Sequence, residues 1–347
     1  MDINSLFLQY QDALITQYST QLLPSHYHAL NAFLRCRTNA AGQIKLHCSS
    51  CDHYQFKPQS CGHRHCAQCQ NHETSAWLDR QYLKLLPVDY FMVTFTLPFQ
   101  YRRLAWLHQK VVYKILFDCA VTTLKSFGLN DQTLAGEIAM TVVLHTHTRR
   151  LDYHPHCHVI VPGGAINKSK KEWRKVKNSY LFNEFAVAVV FRGKIIDALN
   201  KARLPIPANA PKKWVVDCKH VGRGKPALKY LSRYLYRGVL SNQAIVSHKN
   251  GIVTFKYIDS DTGETRCRSL KGAEFCWHIL QHVLPKGFRR VRDYGFLHGN
   301  AKKTLQFIQL LLHVIIKPCI VRERPSFKCP ICSEAMEIIA FIRPTRC

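Results

Sequence analysis

Two closely spaced Cys-x-x-Cys pairs constrain this chain more than anything else in it. They are Cys48-x-x-Cys51 and Cys66-x-x-Cys69, with fourteen residues between them. Each pair makes a tight turn that aims two thiolates at one tetrahedral ion, so the two pairs together read as a single four-thiolate zinc site. Cys36, Cys61, His63 and His65 are left over nearby. Three readings are open: a second site with Cys36, Cys61 and His65 as its ligands, His65 in place of one of the thiolates, or plain packing and surface exposure. Four thiolates leave no open coordination position, so this zinc supplies folding energy rather than chemistry. Far downstream, Cys329-x-x-Cys332 is half of another knuckle. Cys347 offers it a third thiolate and no fourth ligand is evident, so that site reads as incomplete.

Composition narrows the class. There are 347 residues, 47% of them hydrophobic, which is enough for two or three packed domains. Fifteen cysteines, six of them between Cys36 and Cys69, point to metal rather than disulfides in an intracellular chain. Scattered Cys119, Cys218, Cys267, Cys276 and Cys319 read as small buried hydrophobes. The net charge of +27 favours a polyanionic partner, nucleic acid before an anionic membrane surface. There is no apolar run of 18 residues and no signal peptide, so the expected location is the cytoplasm, with no membrane partner.

Periodicity predicts helices in 1–35 (broken at Pro24), 73–87, 101–127 (ending at Gly128), 181–200, 274–284 and 305–316. It predicts strands over 90–98, 138–148 and 153–162, and a strand pair within 255–268. Residues 285–292 read as a basic loop. The segment 201–250 holds eleven Lys or Arg against one acid, Asp217, which suggests a phosphate-contacting surface. The expected domains are a zinc-binding unit over 1–88, a second unit over 89–316, and a tail over 317–347 with its partial knuckle.

Two further stretches carry chemistry. The run from Tyr153 to Gly164 contains His154, His156 and His158. On a strand, alternate residues share a face, so His156 and His158 point together about 7 Å apart while Cys157 points away. His154 joins them if Pro155 leaves the strand straight. A hairpin turn at 149–152 brings His145 and His147 alongside, in a register the sequence does not fix. His145, His147 and His154 are therefore all candidates for a third ligand. The second stretch is a helix from Gly224 to Gly238 with Tyr230 and Tyr234 one turn apart and Lys229, Arg233 and Arg237 beside them. Tyrosine is a poor nucleophile at neutral pH. It becomes useful against a phosphodiester when a metal polarises the phosphate, and a two-histidine site leaves positions open for Mg²⁺ or Mn²⁺ and a phosphate oxygen.

These residues match a known pattern. The chain resembles the two-tyrosine HUH transposases of bacterial rolling-circle insertion sequences, from about Cys36 to Phe296. The resemblance rests on Cys36-Arg37-Thr38, on Ser60 through Gln70 with Cys61-Gly62-His63-Arg64-His65-Cys66, and on Phe95-Thr96-Leu97-Pro98. It continues through Leu144-His145-Thr146-His147, the Tyr153 to Gly164 block, Lys229-Tyr230-Leu231-Ser232-Arg233-Tyr234, Leu284-Pro285-Lys286-Gly287-Phe288 and Tyr294-Gly295-Phe296. It implies an α+β fold, an HUH endonuclease core of antiparallel sheet with helices, preceded by a small helical zinc-binding domain. It implies that His156 and His158 are the paired metal ligands, with Cys157 where an apolar residue is usual. It makes Tyr230 and Tyr234 the nucleophiles, with Lys229, Arg233 and Arg237 contacting DNA phosphates. The implied partners are single-stranded insertion-sequence ends, target DNA and host replication factors, and the implied setting is the bacterial nucleoid. The competing expectations are a replication initiator or relaxase, a non-catalytic zinc-dependent DNA-binding protein, and a metallohydrolase using Asp152 as base.

Overall fold

The computed structural model describes residues 2–69, 71–177, 179–224, 226, 228, 239–259, 262–315 and 326–344, leaving aside the side chains of 71–74. The chain opens with two helices, α1 (Ile3–Tyr18) and α2 (Pro24–Arg35). Asp2 caps α1 by accepting from the Ser5 amide, and Pro24 starts α2 where its missing N–H costs nothing. A hairpin of β1 (Gln43–His47) and β2 (Tyr54–Pro58) follows, and then α3 (Asn71–Tyr82).

The centre of the molecule is built next. In chain order come β3 (Asp89–Thr96), α4 (Arg102–Leu107), α5 (Gln109–Asn130), β4 (Met140–His147), β5 (Tyr153–Pro162), β6 (Gly164–Asn167), β7 (Glu172–Lys175), α6 (Glu184–Lys201) and β8 (Val216–Arg223). The last third adds β9 (Ile245–Lys249), β10 (Ile252–Ile258), β11 (Thr265–Lys271), α7 (Gly272–Leu280), β12 (Val291–Tyr294), α8 (Lys302–Leu311), β13 (Phe327–Lys328) and β14 (Ala335–Ile342). The fold is α+β. Its main sheet has five strands in the order β12-β4-β5-β3-β8, with every neighbouring pair antiparallel.

The two faces of that sheet do different work. On one face Phe91, Val93, Phe95, Val142, Leu144, Cys157, Val159 and Val161 form a continuous core with α5 and α6. The other face is apolar at one end, where Tyr90, Val143 and Ile160 pack with Trp77, Phe296 and Ile308. At its other end it carries the histidines. The period-2 alternation is thus apolar against apolar for most of the strand, with chemistry confined to the last two residue pairs.

Two expectations need correction. The helix expected over 101–127 is two helices meeting at His108, and the second runs on to Asn130. Gly128 is therefore inside the helix and not its stop. A Cβ there would sit 2.7 Å from Ile138 Cγ2, so glycine is needed for close approach to the strand. The expected basic loop at 285–292 ends in β12, which adds to the edge of the main sheet. The basic 201–250 segment contains β8, the opposite edge strand, whose Cys218 N–H donates to Glu184 Oε1 at 2.7 Å.

Packing also crosses the expected domain boundaries. Residues of α1 and α2 (Leu6, Phe7, Leu14, Leu30, Phe33) share one core with Val253, Phe255, Phe275, Trp277 and Leu280. β14 pairs with β1, making a four-stranded sheet β13-β14-β1-β2 from the two ends of the chain. The tail is thus a partner of the N-terminal hairpin and not a separate appendage.

Candidate metal centre

The register of β4 on β5 decides which histidines meet. His145 lies directly opposite His156, and Val143 opposite His158. His145, His156 and His158 consequently share a face, and one ring nitrogen from each lies within 4.8 Å of the others. Their ring centroids are 4.5 to 5.2 Å apart. His145 is the third member of the cluster. Cys157 points to the opposite face and is fully buried between Leu144 and Phe95, as the alternation requires.

The other two candidates are diverted for identifiable reasons. Between the His145–His156 pair and the His147–Tyr153 pair, β4 has one residue, Thr146, and β5 has two, His154 and Pro155. That two-against-one count is a β-bulge, which re-aims the side chains around it. Pro155 therefore does not leave the strand straight. His154 turns to Arg102, whose guanidinium donates to His154 Nδ1. His147 packs toward His282, with ring centroids 5.0 Å apart.

All three clustered imidazoles are neutral at pH 7. Burial pushes His156 down to about 4 and His158 down to about 3, and it holds His145 well below its ordinary value with help from its two neighbours. Neutral imidazole is the form that ligates metal. His156 Nδ1–H donates to the His154 carbonyl at 2.7 Å, which fixes the tautomer and leaves Nε2 for the ion. His158 Nδ1 lies 3.2 Å from Thr94 Oγ1 on the neighbouring strand and is oriented in the same way. The donor set fits a divalent ion with open positions, and Mn²⁺ accepts imidazole more readily than Mg²⁺.

A cleft of about 870 Å³ opens over this face. It is lined by the histidines, by Arg149 and Leu240, and by Lys256, Tyr257 and Thr265 of β10 and β11. The small sheet β11-β10-β9 is thus placed against the site, which sequence reasoning did not anticipate. Thr94, Arg102 and His282 were also missed. Thr94 lies in the strand expected over 90–98, but its place beside His158 follows only from the pairing of β3 with β5. Asp152, the base required by a metallohydrolase, is ion-paired with Arg268 at 2.8 Å and hydrogen-bonded to Thr148. Burial alone would raise its pKa, but the Arg268 hydrogen bond and the positive charges of Arg268, His278 and Arg150 together lower it.

The cysteines group differently from the sequence expectation. Cys48, Cys51, Cys66 and Cys69 do not share a site. Cys66 and Cys69 converge with Cys36 and Cys61, with Sγ–Sγ distances of 3.6 Å for Cys36–Cys69, 3.6 Å for Cys36–Cys66 and 3.8 Å for Cys61–Cys69. Cys48 and Cys51 meet Cys329 and Cys332 instead. The physical reason is the β1–β2 hairpin, which carries its own knuckle to the far end from α2 and pairs on its open edge with β14. His65 is not a ligand. It is buried, with Nε2 accepting from the Leu284 N–H at 3.2 Å and Nδ1 facing Arg290 at 3.2 Å.

Lys229, Tyr230, Arg233, Tyr234 and Arg237 lie outside the described residues, as does Cys347. The last described residue before them, Leu228, donates its N–H to the Gly224 carbonyl and packs with Tyr90 and Ile160 on the histidine face of the sheet. Among the described residues, no helix is long and apolar enough to cross a membrane.

Known proteins match along most of this length. Residues 139–304 fit a family described as "Putative transposase", and residues 6–97 fit one described as "Transposase zinc-binding domain". A Sinorhizobium fredii protein bearing the first of these descriptions, y4qJ, is 31% identical over 331 residues, covering 89% of this chain and 83% of its own. The transposase for insertion sequence element IS801 of Pseudomonas savastanoi pv. phaseolicola is 26% identical over 289 residues, covering 76% of this chain and 68% of its own. Among solved structures, a bacterial tRNA(His) guanylyltransferase (Thg1)-like protein in complex with ATP aligns with 61% of this chain and 98% of its own at 10% identity, with a TM-score of 0.22. That score is too low to carry any argument.

Proposed function

Because the chain belongs to the transposase family of IS91-type insertion sequences, we propose that it nicks and rejoins single-stranded DNA at insertion-sequence ends through covalent 5′-phosphotyrosine intermediates, in rolling-circle transposition. Family membership makes it an enzyme acting on DNA, with a zinc-binding domain at its N-terminal end. The single observation that carries the finer reading is the convergence of neutral His145, His156 and His158 beneath a cleft that Arg149 and Lys256 also line.

In this reading the three imidazoles hold Mg²⁺ or Mn²⁺, which supplies Lewis-acid polarisation of the scissile phosphate when bound. The His154 carbonyl and Thr94 keep His156 and His158 oriented toward it. Tyr230 and Tyr234 are the nucleophiles. One phenol oxygen loses its proton and attacks phosphorus, the bond from phosphorus to the 3′-oxygen breaks, and the leaving strand departs as a 3′-hydroxyl. The 5′-phosphate is left esterified to tyrosine. The second tyrosine, four residues along the chain, serves a second junction while the first is loaded. Lys229, Arg233 and Arg237 neutralise the flanking phosphates. The position of Leu228 on the histidine face supports this assignment, because the tyrosine segment continues directly from it. Target DNA and host replication factors are the further partners of such a cycle, and the nucleoid is its setting.

The test is a labelled single-stranded oligonucleotide carrying the element end, incubated with Mg²⁺ or Mn²⁺ and resolved on a denaturing gel. The protein should form a covalent adduct. A Tyr230→Phe, Tyr234→Phe variant should form none, and adducts from that variant would sink the nucleophile assignment. A His156→Ala, His158→Ala variant should lose cleavage yet keep salt-sensitive DNA binding.

A further inference from the structure

We propose that Cys48, Cys51, Cys329 and Cys332 bind a second structural zinc ion that clasps the C-terminal hairpin onto the N-terminal one, forming a zinc ribbon split between the two ends of the chain. The match to a transposase zinc-binding domain stops at residue 97, so it contains only half of these ligands.

The sulfur geometry is that of a tetrahedral site. Cys48 Sγ lies 3.4 Å from Cys332 Sγ, and Cys51 Sγ lies 3.5 Å from Cys329 Sγ, with all four within 4.8 Å of one another. Four thiolates at zinc–sulfur bonds of about 2.3 Å are spaced roughly 3.8 Å apart. A disulfide would need about 2.05 Å. Four-sulfur ligand sets select zinc over the hard cations.

The two halves are built alike. The Cys48 N–H donates to the His53 carbonyl at 2.9 Å, and the Cys329 N–H donates to the Glu334 carbonyl at 2.8 Å, each reaching five residues along the chain. Each knuckle turns through a left-handed residue just after its second cysteine, Asp52 with φ 54° and Ser333 with φ 64°. Both knuckles therefore present two sulfurs from the same backbone geometry, facing each other across one centre. A Cys-x-x-Cys packed for any other reason would not require this match.

The surrounding sheet needs such a centre. β1 pairs with β14 from Gln43–Ile342 to His47–Glu337, but among the described residues the buried core of this unit is Ile44, Leu46, Cys48, Cys329 and Met336, with Phe327 and Cys332 partly buried against it. A core that small does not hold four short strands by apolar burial alone, and metal binding supplies the missing folding energy. The clasp joins residues 278 and 284 positions apart. It makes the tail part of the zinc-bearing end of the molecule.

The experiment measures zinc per chain, by native mass spectrometry and elemental analysis, in the full-length protein exchanged into metal-free buffer. All samples carry the His156→Ala, His158→Ala background, so that the histidine centre adds no ion. Two zinc ions are expected. Cys329→Ser, Cys332→Ser should lower the count to one, and so should Cys61→Ser, Cys69→Ser. Cys332→His, which preserves a competent three-thiolate, one-imidazole set, should keep two. Hydrogen exchange should quicken in 43–47 and 335–342 for the Cys329→Ser, Cys332→Ser variant alone. A starting count of one, a tail variant that keeps both ions, or a tail variant that loses both would each overturn the proposal.

Discussion

Arg64 offers a direct test of how the zinc-bearing region is held to the catalytic sheet. It sits between Cys61 and Cys66, yet its guanidinium reaches across to the loop before β12. It donates to the carbonyls of Leu284 at 3.1 Å, Pro285 at 2.8 Å, and Phe288. That loop leads into Arg290, whose carbonyl accepts from the Leu144 N–H one residue from His145. Hydrogen bonds from a charged donor contribute roughly 1.5–3 kcal/mol each. These three share one half-buried group and do not add fully, so Arg64→Ala should cost about 3–4 kcal/mol. At a urea slope of about 3 kcal/mol/M the unfolding midpoint falls by roughly 1 M. Arg64→Lys keeps the charge but serves one carbonyl at a time, and should recover about half of the loss. The assay is urea unfolding followed by tryptophan fluorescence, with zinc content measured in parallel. Zinc content should not change, because the Arg64 side chain is not a ligand. A midpoint that stays put would refute the reasoning. So would a fall accompanied by zinc loss, which would assign the effect to the knuckle and not to the loop contacts.

Two further outcomes follow from the histidines. His145→Ala should weaken Mn²⁺ binding, measured by calorimetry, by at least the roughly 10–100-fold typical of an outer-shell change. His147→Ala should weaken it less, and equal effects would contradict the register argument. Burial against Trp106 and Trp277 pushes the His26 pKa down to about 4 from the ordinary 6.5. The unfolded chain therefore binds a proton that the folded chain does not, and stability falls as pH drops from 6.5 to about 4. The full loss from this one group is about 3 kcal/mol. A His26→Gln variant should show a flatter fall over that window in urea midpoints, and an unchanged slope would count against the assignment.

Much of the site was legible in the sequence because it is local. Strand alternation alone puts His156 and His158 on one face and Cys157 on the other, and the hairpin at 149–152 brings His145 within reach. Composition and the cysteine clusters pointed to a basic, zinc-bearing DNA protein, and the ordered motifs pointed to its family. Spacing along the chain could not say which cysteines meet. Each Cys-x-x-Cys is a complete local turn that fits any second pair presented to it, so the fourteen residues between two of them implied a partnership that the fold does not make. The partners were chosen by β1, which bonds β2 on one edge and β14 on the other and so brings residue 48 to residue 332. The third histidine was settled in the same way, by a bulge at His154 and Pro155 that diverts two candidates and leaves His145 opposite His156. The sequence determined the knuckles, the strands and the kind of ligand each presents. Only the tertiary structure decided which of them come together, because strand register and sheet order are set by contacts between residues far apart in the chain.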